Sequence, residues 1–244
     1  MRLVVPRSEP LAAGGLEDLY DPGELPSLRV GFVASADGAI SVAGQSRGLQ
    51  TESDGAAFRA LRTVTDAVVV GAGTARKEDY GPVRLSPLAA EWRRAHGRSE
   101  QIPLVIISRS LDLDPAARFF TGGLRPIVIT CAVAPVQRRQ ALEQMAEVLV
   151  VGDEFVDLPA AAAALQERGL TRLLCEGGPT LFADLLAVGC VDDVFLTLSP
   201  MLVGTGPGLL PAALAQPVDL ELRSLVDGGD GALLFRWGVV RPQL

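Results

Sequence analysis

The chain has 244 residues, 48% of them hydrophobic and 21% charged, a composition that supports a sizeable globular core. Its formal net charge of −7 disfavours non-specific nucleic-acid or anionic-membrane partners but leaves room for a local cationic pocket. Three scattered cysteines with no CxxC and the single histidine His96 argue against a zinc site and suit a reducing cytosol, and no apolar run approaches a membrane span.

Residues 1–27 are rich in Pro, Gly and acidic residues. They read as an arm over the surface with one helical turn around Leu16 to Tyr20, or as a partly ordered tail. Leu28 to Ser35 is β-favouring and ends in Ser35-Ala36-Asp37-Gly38. Asp-Gly after a strand is a turn signal; the sharper reading puts the Asp37 carboxylate at a strand end facing a pocket. A polar loop, Gly44 to Gly48, precedes a helix that Thr51 or Ser53 can cap, with acidic residues in its first turn. By residue type alone, Arg62 on that helix is a solvated arginine.

Ala67 to Val70 is fully apolar, as expected of a central strand, and ends in Gly71-Ala72-Gly73-Thr74. The segment that follows, 76–82, looks loop-like and lacks the later glycine of a GxGxxG fingerprint, so a Rossmann fold is not supported. Trp92 to Arg98 reads as a charged, exposed insert, with a helix expected at Pro87 to Ala95. Pro103 to Ser108 is the next strand. Ser108-Arg109-Ser110 after it is either a polar turn or a phosphate site.

Strands and helices then alternate through Pro126–Thr130, Pro135–Met145, Val148–Val151 and Leu158–Arg168 to the strand Thr171–Cys175. Next comes Glu176-Gly177-Gly178-Pro179-Thr180-Leu181-Phe182. A strand, two glycines and a proline opening a helix present unpaired backbone N–H groups at the positive end of a helix dipole, a ready site for a pyrophosphate. An ordinary tight βα connection would look much the same but for Glu176 at its mouth. After the strand Val194–Ser199 and a Gly/Pro-rich loop at Pro200–Pro211, the stretches 220–226 and 232–240 read as a hairpin. The pattern predicts a mostly parallel α/β sheet, covered on both faces, with antiparallel strands at the C-terminal end. Asp37, Gly71 to Thr74, Ser108-Arg109 and Glu176 to Thr180 all follow strands, where ligands sit in such sheets.

The ordered set Ser35-Ala36-Asp37-Gly38, Gly44-Gln45-Ser46, Val70 to Thr74, Ser108-Arg109, Glu176 to Leu181 and Leu198-Ser199-Pro200 to Gly206 resembles the riboflavin-biosynthesis pyrimidine reductases. These are the C-terminal reductase domain of the bifunctional deaminase–reductase and its stand-alone relatives. The resemblance runs over about residues 28–240. It implies a dihydrofolate-reductase-like three-layer α/β/α domain over 28–244, NADPH as cofactor and a homodimer, in the cytoplasmic setting that the cysteine usage suits. It also implies a phosphorylated pyrimidine substrate, whose opened sugar forms an imine that takes a hydride. A dihydrofolate or pterin reductase on the same fold, and a non-catalytic NADP-binding protein, are the alternatives.

By the resemblance, Gly71, Gly73, Thr74 and Glu78 contact the cofactor, Gly177, Gly178, Pro179, Thr180, Leu181 and Phe182 cradle its pyrophosphate, and Ser108 with Arg109 holds the 2′-phosphate. Asp37, Ser46, Arg62, Arg84 and Glu176 line the substrate, with Asp37 and Glu176 as candidates for orienting the imine or relaying its proton. The chain departs from many relatives at Glu78-Asp79-Tyr80-Gly81-Pro82, where Asp-Asp-Pro is common, and at Arg47-Gly48-Leu49, where a tryptophan is common. The deaminase half is not expected here, and neither is a metal.

Overall fold

In the computed structural model the described residues are 1–5, 9–12, 14–23 and 26–241. The chain opens with β1 (Arg2–Val5), β2 (Glu9–Pro10), α1 (Gly15–Tyr20), β3 (Ser27–Ser35) and, after a 3-10 turn at Ser46–Leu49, α2 (Glu52–Thr63). Then come β4 (Ala67–Gly71), α3 (Ala72–Lys77), α4 (Pro87–Ala95), β5 (Leu104–Ile107), β6 (Ile127–Thr130), α5 (Val136–Leu142), β7 (Glu147–Val150) and α6 (Leu158–Gln166). The last elements are β8 (Arg172–Cys175), α7 (Pro179–Ala187), β9 (Asp193–Ser199), β10 (Leu220–Asp227) and β11 (Leu233–Val239).

One sheet carries all the strands in the order β2-β1-β10-β11-β9-β3-β8-β4-β5-β6-β7. From β9 to β7 the pairs are parallel; β11, β10, β1 and β2 continue it antiparallel. Along β4 the side chains alternate between two cores. Val69 joins Phe32, Leu173 and Leu181 on one side, while Val68 and Val70 join Leu104, Ile106 and Phe119 on the other. A strand buried on both faces must be apolar throughout, as this one is.

Three local expectations change. The first residues do not lie over the surface: β1 pairs with β10 and extends the sheet, and α1 packs Leu16 and Tyr20 into the core against α2. Arg29, fully buried on β3, donates from Nη1 to Tyr20 O at 2.7 Å and so ties α1 down. The segment after Gly71 is not a loop throughout. It forms α3, closed by Tyr80 N donating to Ala75 O (2.9 Å) and Asp79 N to Arg76 O (3.3 Å), with Asp79 at φ 49°. This paired closure with one left-handed residue is a Schellman ending made without glycine, which is why no glycine signalled it. The 92–98 segment is not wholly exposed either. Arg93 is buried and donates to the carbonyls of Thr63, Thr65 and Ser99, capping the strand entry with a cation.

Helix α2 starts as its sequence predicts, with Thr51 Oγ1 accepting from Asp54 N at 3.2 Å. The Asp54 carboxylate is fully buried, and neither oxygen has a hydrogen-bond partner among the described residues. Burial pushes its carboxyl up to about 6; the Thr197 hydroxyl opposes the shift and Asp230 adds to it. With a folded value above the unfolded one, the native state keeps a proton that the unfolded chain loses, so stability falls as pH rises from about 4 to 6. Asp54→Asn is expected to be ~1–3 kcal/mol more stable than wild type at pH 8 and about equal to it at pH 4. Urea titrations of both proteins across this range check it; a difference that does not vary with pH would remove the buried carboxylate as its source.

Candidate active site

The parallel strands end on one side of the sheet, and there three cavities lie along the carboxyl ends. The first, about 410 Å³, opens beside Glu176. That residue follows β8, and its backbone N donates to Val69 O (2.9 Å), which holds it against β4. Its side chain is nearly inaccessible. Arg62 grips it with a two-pronged fork, Nε to Oε1 at 2.6 Å and Nη2 to Oε2 at 2.7 Å, and the Tyr80 hydroxyl donates to Oε2 at 2.9 Å. The Glu176 carboxylate raises the pKa of Arg62, and burial together with Glu176 raises that of Tyr80. Arg62 is therefore a fixed cation and Tyr80 a neutral phenol across the working pH range. By residue type Arg62 reads as solvated; the partner that holds it lies 114 residues away in sequence.

The apolar wall of this cavity comes from Phe32 and Val33 of β3 and Phe58 of α2, and its far rim from Gly73, Thr74 and Pro179. Two helix N-termini converge here: Gly71 is the N-cap of α3 and Gly178 that of α7, and Gly71 N donates to Gly177 O at 2.8 Å. The first N–H groups of each helix have no intrahelical acceptor and carry partial positive charge. A Cβ on Gly73 would meet no protein atom and would project into the cavity, whereas one on Gly178 would collide with Thr74 Oγ1. Bare backbone at both positions suits the close approach of an anionic linker such as a pyrophosphate. The donors present thus fit a nicotinamide dinucleotide.

The second cavity, about 600 Å³, adjoins the first. Its polar wall carries Arg47, Arg84 and Arg118 along with Arg62; Arg118 also pairs with Asp79 Oδ2 at 2.8 Å. The third, about 910 Å³, lies beyond Gly71 and is lined by Arg109, Phe155, Thr180, Leu181 and Asp184. Arg109 donates from Nε to Glu154 O (2.8 Å) and its guanidinium sits 4.4 Å from the Phe155 ring centre. A flat aromatic–guanidinium pair at the open end of such a cleft can take a purine ring or a phosphate.

The structure brings together Ser46, Arg62, Glu78 and Glu176 around the first cavity, and Arg84 joins them through the second. The Glu78 carboxylate accepts from Ser46 N at 3.0 Å, so it also holds the 44–46 loop. Other expected residues lie elsewhere. Asp37 lines none of these cavities. Its carboxylate accepts from the Ser35 hydroxyl and from the backbone N–H groups of Val203 and Gly204, bonds that lower its pKa to about 2 and pin the 203–204 loop. It reaches the site indirectly, through that loop, whose Pro207 lines the first cavity, and through Ser35, which closes the turn leading to the cavity residues Ile40 and Ser41. Ser108 is buried, its Oγ accepting from Leu111 N (3.1 Å), so of the Ser-Arg pair only Arg109 faces the third cavity. Phe182 packs on Phe32 in the core, with ring centres 5.3 Å apart, and Gly177 sits against the same ring.

Sequence reasoning did not single out Tyr80, Phe58 or Arg118 as site residues. Tyr80 stands at one of the noted departures from the common pattern, which was its only signal. Arg118 arrives from a 3-10 turn at Arg118–Phe120 that no local pattern marks.

Among the described residues no helix is long and apolar enough to cross a membrane, and no His, Cys, Asp and Glu side chains gather as metal ligands would. Residues 26–234 match the RibD C-terminal domain family. A 2,5-diamino-6-ribosylamino-4(3H)-pyrimidinone 5′-phosphate reductase from Archaeoglobus fulgidus is 32% identical over 180 residues, covering 73% of this chain and 82% of the relative. The crystal structure of a pyrimidine reductase-like protein from Corynebacterium diphtheriae superposes with a TM-score of 0.83 at 30% identity, over 93% of this chain and 99% of that one. The yeast riboflavin biosynthesis reductase shares the fold at 16% identity, with a TM-score of 0.70 over 93% and 99% of the two chains. The expected three-layer architecture, mostly parallel with antiparallel strands at the C-terminal end, is the one observed.

Proposed function

The chain belongs to the RibD C-terminal domain family, and from that premise we propose that it is an NADPH-dependent reductase of a ribosylaminopyrimidine 5′-phosphate in riboflavin biosynthesis. The observation that carries the reading is the Arg62–Glu176–Tyr80 cluster, set between an apolar cavity and a cationic one beside two converging helix N-termini. The pyrimidine ring enters the first cavity against Phe58, and its 5′-phosphate enters the second, met by Arg47, Arg84 and Arg118. A dianion in a protein of net charge −7 needs such local cations.

The cofactor runs from the first cavity past Gly73, Thr74 and Gly178 to the third, where Arg109 receives the 2′-phosphate. When bound, its reduced nicotinamide supplies the hydride. The chain's own work is positional. Phe32, Val33 and Phe58 exclude water, the arginines fix the phosphate, and Glu176 with Arg62 sets the end of the pyrimidine nearest the sugar. Holding two reactants at near-attack distance lowers the barrier without a covalent step. The proposal includes a homodimer, to be checked by light scattering, and a cytosolic setting in which Cys131, Cys175 and Cys190 stay as the free thiols they are here.

The test is consumption of NADPH by purified protein offered the ribosylaminopyrimidine phosphate and dihydrofolate in parallel. Turnover of the first alone is expected; turnover of dihydrofolate alone makes it a pterin reductase, and tight NADPH binding with no turnover makes it a binding protein. Arg109→Ala is expected to weaken NADPH roughly tenfold or more and to leave NADH unchanged, because a charge-assisted phosphate contact contributes about 1.5–3 kcal/mol. Equal losses for both dinucleotides by calorimetry would place the 2′-phosphate elsewhere.

A further inference from the structure

We propose that the Tyr80 hydroxyl is a substrate contact, its oxygen accepting the N–H of the amine that joins the pyrimidine to the sugar, next to the carbon that takes the hydride. The inference rests on the reading of the site given above. Five residues line both the first and the second cavity: Ser46, Gln50, Arg62, Glu78 and Tyr80. A molecule with its ring in one cavity and its phosphate in the other must thread its connecting atoms through that waist, so the linking nitrogen lies there.

The waist residues differ in what they can offer. Arg62 is a donor only, and its fork is committed to Glu176. The Glu78 carboxylate, held by the Ser46 N–H, would set a further negative charge beside the phosphate. The Ser46 hydroxyl and the exposed Gln50 amide have no hydrogen-bond partner among the described residues to fix or polarise them as acceptors. Glu176 already receives three donors, two from Arg62 and one from Tyr80. The Tyr80 oxygen is different. Its proton goes to Glu176 Oε2; the neighbouring Arg62 guanidinium can take one lone pair and the other remains to accept, and donation to a carboxylate polarises the O–H bond and strengthens the oxygen as an acceptor.

The hydroxyl is also fixed in place. The double closure of α3 sets the backbone at Tyr80, and the ring packs on the core that contains Val70, Leu104 and Phe119. Glu176 is charge-balanced by Arg62, so the acceptor reaches the linking nitrogen without adding net negative charge near the phosphate. When the sugar opens, the bond from the anomeric carbon to the ring oxygen breaks and the ring oxygen takes a proton from water. What the hydride then reduces to the amine is a cationic C=N group, on which the linking nitrogen keeps its own proton. An acceptor on it orients the group and stabilises its positive charge as the hydride arrives.

The experiment compares wild type with Tyr80→Phe, which keeps the packed ring and removes only the hydroxyl. Turnover of the ribosylaminopyrimidine phosphate is expected to fall roughly 10–100-fold. Calorimetric affinity for the reduced ribitylamino phosphate product, whose amine retains the N–H, should fall about tenfold. Affinities for ribose 5-phosphate and for NADPH, which lack that N–H, should not move. A purely structural role for Tyr80 would lower all the affinities together, and that outcome overturns the proposal, as does an unchanged turnover and product affinity in an active protein. If wild type itself neither reduces nor binds the pyrimidine phosphate, the parent reading of the site has failed and this contact falls with it.

Discussion

Arg62→Ala is expected to lose about 2–3 kcal/mol of folding stability, as well as most turnover. The reason is Glu176, which is 7% exposed and holds its charge against the Arg62 fork. Removing one partner of a buried pair leaves an uncompensated carboxylate, a loss of about 3–5 kcal/mol when both groups are fully enclosed. The Arg62 side chain is 34% exposed, so water screens part of the interaction and the lower figure applies. For a chain of this size that is a drop of about 5–10 °C in Tm. Replacing both residues with apolar ones, Arg62→Met with Glu176→Leu, should recover much of the stability and none of the activity, because the strain lies in the widowed charge. Thermal denaturation of the three proteins decides the matter. If Arg62→Ala keeps wild-type stability and only raises KM for the phosphorylated substrate, Arg62 is a free substrate ligand, the role that the family resemblance implies.

Gly178→Ala is expected to weaken NADPH about 100-fold, or about 2.7 kcal/mol, while the protein still folds. The added Cβ would overlap Thr74 Oγ1, and Thr74 stands in the first turn of α3 beside the N-terminus of α7. The two helix ends must then separate, and their N–H groups no longer converge on one anion. Thr74→Ala removes the obstructing hydroxyl, so the double variant should regain at least tenfold of the lost affinity although each change alone is harmful. Calorimetry on the four proteins forms the cycle. Wild-type affinity in Gly178→Ala would mean that the dinucleotide does not pass between these helices.

The local chemistry of the chain already determined a good deal. A short apolar run such as Ala67–Val70, stopped by glycine, is the pattern of a strand buried on both faces, and β4 is one. Pro179 after two glycines marks a helix start, and α7 begins there. Of the two capping candidates for α2, Thr51 and Ser53, it is Thr51 that caps. These features depend on neighbours a few residues apart, so they are legible from one stretch at a time. The ordered motifs also pointed to the reductase family, and the match over residues 26–234 bears that out.

What only the tertiary structure decided is how the polar side chains are spent. Asp37 and Ser108 look like ligands in sequence, yet the fold places backbone N–H groups from Val203, Gly204 and Leu111 within their reach, and they close loops instead. Arg62 looks solvated, but parallel pairing of β4 with β8 brings Glu176 to it. Tyr80 is aimed at the same carboxylate by a helix ending that uses a left-handed aspartate in place of glycine. A hydrogen bond is worth making only where no nearer partner competes. Ser108 finds its partner Leu111 only three residues on, but for Asp37 and Arg62 the nearest partner depends on strand order and helix docking, and therefore on contacts more than a hundred residues apart.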